Sequence, residues 1–287
     1  MSTWNELIHK ATSALTLSGI SDAALNAGYL ALHVLGRWNR QELRQYLGEE
    51  VSEKDAAAFA ALLERRTLHE PLQYIIGETE FFGLRLYCDP SSLIPRPETE
   101  IVVQAALDEA TALLSSKQEL RILDVGTGSG AIALALAYKL PSCHIEGIDI
   151  SADSLKLAER NKDRLGLKNV VFHQADFLKT AFEASPGYDL IVSNPPYIPE
   201  TEIDSLSKEV KDFEPIDALT DHQNGFSFYV AIAQKASAML SPSGIVVVET
   251  EYKGAATVAD IFVRHRLKVK NISTDLLGHQ RIVVATV

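Results

Sequence analysis

Residues 120–130 read Leu-Arg-Ile-Leu-Asp-Val-Gly-Thr-Gly-Ser-Gly, an apolar run that breaks into glycines, and an apolar helical run from Ala131 to Lys139 follows. This strand–turn–helix unit constrains the fold more than any other stretch. Gly126, Gly128 and Gly130 let the backbone turn through conformations that side chains disfavour and pass close to a ligand. The N–H groups opening the helix then point at that ligand. Gly126, Gly128 and Ala131 formally fit the dinucleotide pattern G-x-G-x-x-G/A. The next apolar strand, Cys143 to Ile150, carries Asp149 at its end, where a carboxylate can hold a ribose diol. These residues alone leave a nicotinamide cofactor and S-adenosylmethionine equally open, beside a plain structural turn.

Further along, strands and helices alternate. Strands are predicted near 120–125, 143–149, 169–173 and 188–193, with helices near 130–139 and 151–165. A helix near 225–240 leads to the strand Gly244–Glu249, and a helix near 254–264 leads to two last strands near 267–273 and 280–286. Such alternation predicts an α/β protein with a mostly parallel, doubly wound sheet. Ligands of such sheets sit at the carboxyl edge of the strands.

The strand Tyr188–Ser193 ends at that edge in Asn194-Pro195-Pro196-Tyr197. Proline fixes φ and removes a backbone donor, leaving carbonyls that only accept. The Asn194 side-chain oxygen and the Pro195 carbonyl are therefore two rigid acceptors, suited to an NH2 group with two hydrogens to donate. Hydride transfer has no use for a paired acceptor clamp. The pairing of this loop with the glycine turn selects S-adenosylmethionine and a planar nitrogen as methyl acceptor.

The 287 residues allow two domains, or one large domain with an appendage. Residues 1–76 read as short helices without a catalytic cluster. Thr3 with Glu6 and Asn39 with Glu42 have capping-box spacing, and Ser52 precedes Asp55 as a further N-cap signal. Residues 77–96 read as a hairpin and linker around Gly83, and residues 97–287 as the domain that carries the chemistry, beginning with a helix from Pro97 to Leu114. Pro97, Glu98 and Glu100 fit a helix start as well as they fit a site lining. The polar stretch from Ile198 to Asn224 has little helical or strand signal and reads as a lid or docking element, with a disordered surface loop as the plainer alternative.

Cys88 and Cys143 lack metal spacing, and the scattered histidines form no ligand cluster. No apolar run is long enough to span a bilayer, and the N-terminus lacks a basic-then-apolar signal. These features predict a metal-free, cytoplasmic protein, taken as a monomer. A net charge of -11 argues against nonspecific grip on a phosphate backbone.

Several segments together resemble the release-factor glutamine methyltransferase family, known as PrmC or HemK. They are Glu70–Gly77 (EPLQYIIG), Phe81-Phe82-Gly83, Leu93–Glu100 (LIPRPETE), Asp124–Gly130 (DVGTGSG), Ser193–Pro199 (SNPPYIP), Asp212–Pro215 (DFEP) and Asn224–Tyr229 (NGFSFY). The resemblance implies a seven-stranded class I methyltransferase sheet of Rossmann-like type behind a small helical substrate-recognition domain. It implies methylation of the glutamine side-chain amide (N5) in the Gly-Gly-Gln motif of class I peptide chain release factors. By the same resemblance Gly126, Thr127, Gly128, Ser129 and Gly130 hold the methionine part of S-adenosylmethionine. Asp149 binds the ribose, Phe177 faces the adenine, and Asn194, Pro195, Pro196 and Tyr197 clamp the glutamine, with Asn194 and Pro195 catalytic.

Asp176 either accepts from the adenine amino group or caps the segment 177–181. Asp124 supports the glycine turn, directly or through the methionine ammonium, and Tyr197 either packs on the amide plane or caps the core. Two departures from the family pattern are the run Glu249-Thr250-Glu251-Tyr252, in place of Glu-Ile-Gly, and Asp212, where a basic residue is usual. The rivals within the same chemistry are a ribosomal-protein glutamine methyltransferase and a nucleic-acid base-amino methyltransferase. From another class, a nonenzymatic cofactor-binding protein would share the glycine loop but not need the clamp.

Overall fold

The computed structural model describes residues 2–179, 187–275 and 277–287. The chain forms two compact units. The first comprises Met1–Glu78 together with Ser207–Phe213. Its helices are α1 (Trp4–Leu17), α2 (Ala23–Val34), α3 (Leu43–Tyr46), α4 (Glu53–Thr67) and α5 (Leu72–Ile76). Thr3 and Glu6 form the expected capping box at α1, and Ser52 caps α4 through the Asp55 amide. Asn39 behaves differently from its spacing. Its Oδ1 accepts from the Gln41 amide at 2.9 Å and opens only a 3-10 turn, Arg40–Glu42. That turn leads directly into α3, and Glu42 Oε2 lies 3.9 Å from Arg37 Nε.

Trp4 packs edge-on to Phe59 at 5.9 Å, and Ala11, Leu15, Ala27 and Leu30 are buried around them. Among the described residues, Arg66 is the buried cation of this interior, 3% exposed. Its guanidinium donates to Asn26 Oδ1 at 2.7 Å, to the Glu70 carbonyl at 2.9 Å and to Glu209 Oε1 at 2.5 Å. A buried charge needs this degree of partnering to be tolerated. Glu209 belongs to the polar stretch that gave little signal in the sequence. That stretch is folded into short helices, Glu200–Ser205, Lys208–Phe213 and Ile216–Ala218. Each is too brief for a 3.6-residue period to register.

The second unit comprises Thr79–Leu206 and Glu214–Val287. It begins at the hairpin β1 (Glu78–Phe81) and β2 (Leu84–Tyr87). Phe82 and Gly83 both take positive φ, at 51° and 75°, as a two-residue hairpin turn of this hand requires. Then follow α6 (Thr99–Leu114), β3 (Arg121–Val125), α7 (Ala131–Lys139), β4 (His144–Asp149), α8 (Ala152–Leu165), β5 (Val170–Gln174) and β6 (Tyr188–Ser193). After α9 (Lys208–Phe213), which lies in the first unit, come α10 (Ser227–Met239), β7 (Leu240–Glu249), α11 (Ala255–Arg264), β8 (Lys268–Thr274) and β9 (Gln280–Thr286).

The sheet runs β5-β4-β3-β6-β7-β9-β8, seven strands. All neighbours are parallel except β9, which is antiparallel to both β7 and β8. The inner strands read as continuous apolar runs because both faces are covered. Alternate residues separate cleanly. Ile122, Leu190, Val192, Ile245, Val247 and Ile282 join one core with α6 and α7, and Leu123, Val125, Ile191, Val246, Val248 and Val283 join the other with α10 and α11. Strand β7 starts at Leu240, earlier than the expected Gly244. Its pairing with β6 slips between Tyr188 and Leu190, absorbing the residues around Pro242.

Asn161 on α8 ties the hairpin to the glycine turn. Fully buried, it accepts from the Tyr87 amide at 2.6 Å and donates to the carbonyls of Tyr87 and Ser129 at 3.2 and 3.1 Å. Asn161→Ala leaves these backbone groups without partners and should cost about 1–3 kcal/mol, read as a lower midpoint in urea with an unchanged slope.

Candidate active site

Strand β3 pairs with β4 on one side and β6 on the other. The sheet order therefore reverses direction at β3, and the crevice at this switch point lies outside the carboxyl ends of the three strands. Val125 registers with Ile148 and with Ser193. Gly126, Asp149 and Asn194 thus leave the sheet side by side. The Ser193 hydroxyl donates to the Val125 carbonyl at 2.7 Å and joins the two loops at their roots.

The glycine loop is built as a cradle. Gly126, Gly128 and Gly130 have φ of 72°, 55° and 83°. The Gly126 and Thr127 amides both donate to the Ile148 carbonyl at 2.9 Å, and the Gly128 amide donates to Asp149 Oδ2 at 2.8 Å. A Cβ on Gly128 would lie 2.8 Å from the Ser92 hydroxyl. Thr127 and Ser129 are buried, and Thr127 Oγ1 donates to Asp124 Oδ2 at 2.6 Å.

The same Asp124 oxygen accepts from the Ala133 amide at 3.1 Å, in the first turn of α7. Asp124 Oδ1 is buried without a partner. Burial outweighs the Thr127 and Ala133 hydrogen bonds and raises this carboxyl to about 7. An orphaned acidic oxygen beside a glycine cradle fits the α-ammonium of S-adenosylmethionine. Asp149 accepts from Ser151 N at 2.9 Å on its other oxygen. With the Ile150 amide it takes three backbone hydrogen bonds, which leaves acceptor capacity for a ribose hydroxyl, and desolvation raises its pKa as well. The residues at this edge fit the cofactor.

Two other expected contacts are placed differently. Asp176 Oδ1 accepts from the Leu178 and Lys179 amides at 3.0 and 3.1 Å. This is the capping alternative, although residues 180 and 181 of the segment fall outside the described residues. Phe177 is 3% exposed and packs in the second core, with Lys235 Nζ 4.4 Å from its ring centroid. The residue expected to face the adenine is thus packed as a side chain of this core. An apolar side chain after a turn acid reads the same in sequence whether it faces a base or the core.

Asn194 Nδ2 donates to Thr99 Oγ1 at 3.0 Å, and Thr99 Oγ1 donates to Glu249 Oε2 at 2.7 Å. Pro195 is buried, and Pro196 and Tyr197 are half-buried. The Tyr197 ring packs on the second core while its hydroxyl lies 3.5 Å from Glu249 Oε1. The loop is held from behind by Gly225, at φ 82°, where any Cβ would collide with the Tyr197 carbonyl. Asp221 accepts from the Gly225 amide at 2.8 Å and the Ser227 amide at 2.9 Å. The Ile198 and Glu200 amides donate to the carbonyls of Leu219 and Gln223 at 3.0 Å each. Glu214, also buried, accepts from Arg96 at 2.5 Å and fixes the segment before α6.

Glu249 was not singled out as a site residue in the sequence. It is 1% exposed, at the end of β7, and burial raises its carboxyl to about 7 against the pull of the Thr99 hydrogen bond. The available signal was an acid ending an uninterrupted apolar strand, the pattern already used for Asp149. Because the folded values of Asp124 and Glu249 are raised, the folded chain keeps protons that the unfolded chain has lost. Stability from these groups therefore falls as pH climbs from the ordinary carboxylate range to about 7.

Binding a cofactor ammonium at Asp124 stabilises the carboxylate and should release protons near neutral pH. Calorimetry in buffers of different ionisation enthalpy reads this release directly, and Asp124→Asn should abolish it. Equal release in the variant would remove Asp124 from the ammonium site. Asp149→Ala should weaken cofactor affinity more than it lowers turnover at saturation, and an unchanged affinity would remove the ribose assignment.

Residues 116–276 match the family described as Methyltransferase domain, and residues 6–77 match the PrmC N-terminal domain. A release factor glutamine methyltransferase from Chlorobaculum tepidum is 40% identical over 262 residues, covering 89% of this chain and 88% of that protein. The protein of the same name from Bacillus subtilis is 36% identical, covering 100% of this chain and 99% of its own. Among solved structures, a methyltransferase from Pyrococcus furiosus shares the fold at 18% identity, with a TM-score of 0.50 over 71% of this chain and 89% of that one. By identity over nearly its whole length, the chain belongs to the release factor glutamine methyltransferase family.

Proposed function

We propose that the protein transfers a methyl group from S-adenosylmethionine to the side-chain amide nitrogen of the glutamine in the Gly-Gly-Gln motif of class I peptide chain release factors. The observation that carries this reading is the position of Asn194-Pro195-Pro196-Tyr197, beside the glycine cradle at the switch point of the sheet. Relatives that align over nearly the whole chain are release factor glutamine methyltransferases, which supports the same substrate.

The bound cofactor supplies an electrophilic methyl group on a sulfonium centre. The protein's task is to aim a poor nucleophile, because the amide lone pair is delocalised into its carbonyl. Asn194 Oδ1 and the Pro195 carbonyl accept the two N–H hydrogens, orient the nitrogen and favour its pyramidal form as positive charge develops. This is transition-state complementarity achieved by positioning. No strong base is needed beforehand, since the methylated nitrogen is acidic enough to lose its proton to water. No histidine takes part. Tyr197 closes the loop against the core and lines the amide plane. Asp176 keeps its turn and contributes at most a remaining lone pair to the adenine end of the site.

The helical unit, residues 1–76 in the sequence reading, serves as the substrate-recognition module, and residues 97–287 carry the transfer. The enzyme acts as a cytoplasmic monomer without sequence-specific contact to nucleic acid. The net charge is -11 and, among the described residues, no helix is long and apolar enough to cross a membrane.

Labelled methyl transfer to a purified class I release factor, beside the same factor with its Gly-Gly-Gln glutamine changed to alanine, tests the reading. Label on the first alone supports it. Equal label on both discards the glutamine, and label only on ribosomal protein or nucleic acid favours the rival substrates. Asn194→Ala should lower turnover on the order of 10²-fold or more; near-normal turnover would end its assigned role.

A further inference from the structure

The Asn194 amide is useful to an NH2 substrate only one way round. With its oxygen toward the substrate it accepts; with its nitrogen there, it opposes donor with donor. Asn and Gln orientations follow from their hydrogen-bond networks, and here the network is short enough to count hydrogens. Thr99 Oγ1 lies 2.7 Å from Glu249 Oε2 and 3.0 Å from Asn194 Nδ2. Both Thr99 and Glu249 are buried, at 4% and 1% exposure. A threonine hydroxyl has one hydrogen to give. When Glu249 is a carboxylate it can only accept, so the Thr99 hydrogen goes to it. The Thr99 oxygen is then left solely as an acceptor and takes a hydrogen from Asn194 Nδ2. Asn194 Oδ1 is thereby turned to the substrate.

Resting on the function proposed above, we infer that Thr99 and Glu249 are positioning residues: the Glu249 carboxylate, acting through the Thr99 hydroxyl, sets which face of the Asn194 amide meets the acceptor nitrogen. Protonating Glu249 reverses the chain. The acid then donates to Thr99, Thr99 donates to Asn194 Oδ1, and the NH2 of Asn194 faces the substrate. Turnover at saturating cofactor should therefore show an acid limb.

The surroundings keep this switch within reach of neutral pH. Burial disfavours the Glu249 charge and Glu98 adds repulsion, while Thr99 and Tyr197 as hydrogen-bond donors and Arg281 as a cation favour it. Arg281 is itself paired with Asp275 at 2.8 Å, so its charge on Glu249 is shared. Arg96 also bears on Tyr197, and the Tyr229 hydroxyl donates to the Glu249 carbonyl at 2.7 Å, fixing the backbone without touching the carboxylate.

The test is turnover against pH, at saturating S-adenosylmethionine, for wild type, Thr99→Val, Thr99→Ser and Glu249→Gln. Saturation matters because Asp124 titrates in the same range in the free enzyme but is held ionised by the bound ammonium. Wild type should lose activity on the acid side of neutrality, and Glu249→Gln should lack that limb. Thr99→Val, which keeps the shape and removes the hydroxyl, should lower turnover by about tenfold or more, the rate equivalent of one positioned hydrogen bond. Cofactor affinity by calorimetry should stay unchanged, which also reports a folded protein. Thr99→Ser restores the hydroxyl and should restore most of the rate.

An unaltered acid limb in Glu249→Gln, or wild-type turnover in Thr99→Val, would overturn the proposal. A structural role alone would move stability and cofactor affinity while leaving the pH profile in place. The parent reading is judged separately by which acceptor wild type labels. If that acceptor is another amide or amine, the glutamine assignment fails, and the relay is judged by the same ratios on that acceptor.

Discussion

The hydrogen bond from Ser193 to the Val125 carbonyl, 2.7 Å long at the carboxyl edge of the sheet, fastens the cofactor loop to the acceptor loop. It exists because β3 and β6 are neighbours in register although more than sixty residues separate them in the chain. The crossover through α7, β4, α8 and β5 fills one side of the sheet and sends the chain back beside β3 for the other. The glycine cradle and Asn194 then emerge from adjacent strands. Positioning of reactants is the main contribution a protein can make to an amide methylation, and here it follows from strand order.

Carboxylates end three apolar strands at or near this edge: Asp124 in β3, Asp149 at the end of β4 and Glu249 at the end of β7. Each loses hydration, and burial is the leading influence on each pKa. They recover it differently. Asp149 takes backbone amides on both oxygens, Asp124 takes partners on one oxygen and leaves the other orphaned, and Glu249 leans on Thr99 and Tyr197. An incompletely satisfied acid is a site for a cationic or hydroxyl-bearing ligand, or a group whose protonation shifts its neighbours.

The alternation of strands and helices was legible because apolar runs and glycine turns are local signals. Asp149, the glycine loop and Asn194-Pro195-Pro196-Tyr197 stood out because each directly follows an apolar run, a local pattern of residue type and spacing. Thr99 was visible only as part of a helix start, since nothing local says that a first-turn hydroxyl meets a strand end 150 residues later. Glu249 was hidden by the same distance. The segment 198–224 looked featureless because its helices are short and its order comes from backbone bonds to Leu219 and Gln223 and from the Arg66–Glu209 pair. Phe177 is the converse case, an aromatic expected at the adenine whose side chain packs in the core.

The central claim is that two fixed acceptors, Asn194 Oδ1 and the Pro195 carbonyl, hold the acceptor nitrogen by its hydrogens. A crystal structure with S-adenosylhomocysteine and a release-factor fragment carrying the Gly-Gly-Gln loop tests it most directly. The account predicts the glutamine amide nitrogen within hydrogen-bonding distance of both oxygens, with Asn194 Nδ2 still on Thr99. A glutamine turned to place its carbonyl oxygen against Asn194 Nδ2, with its nitrogen free of both acceptors, would contradict it.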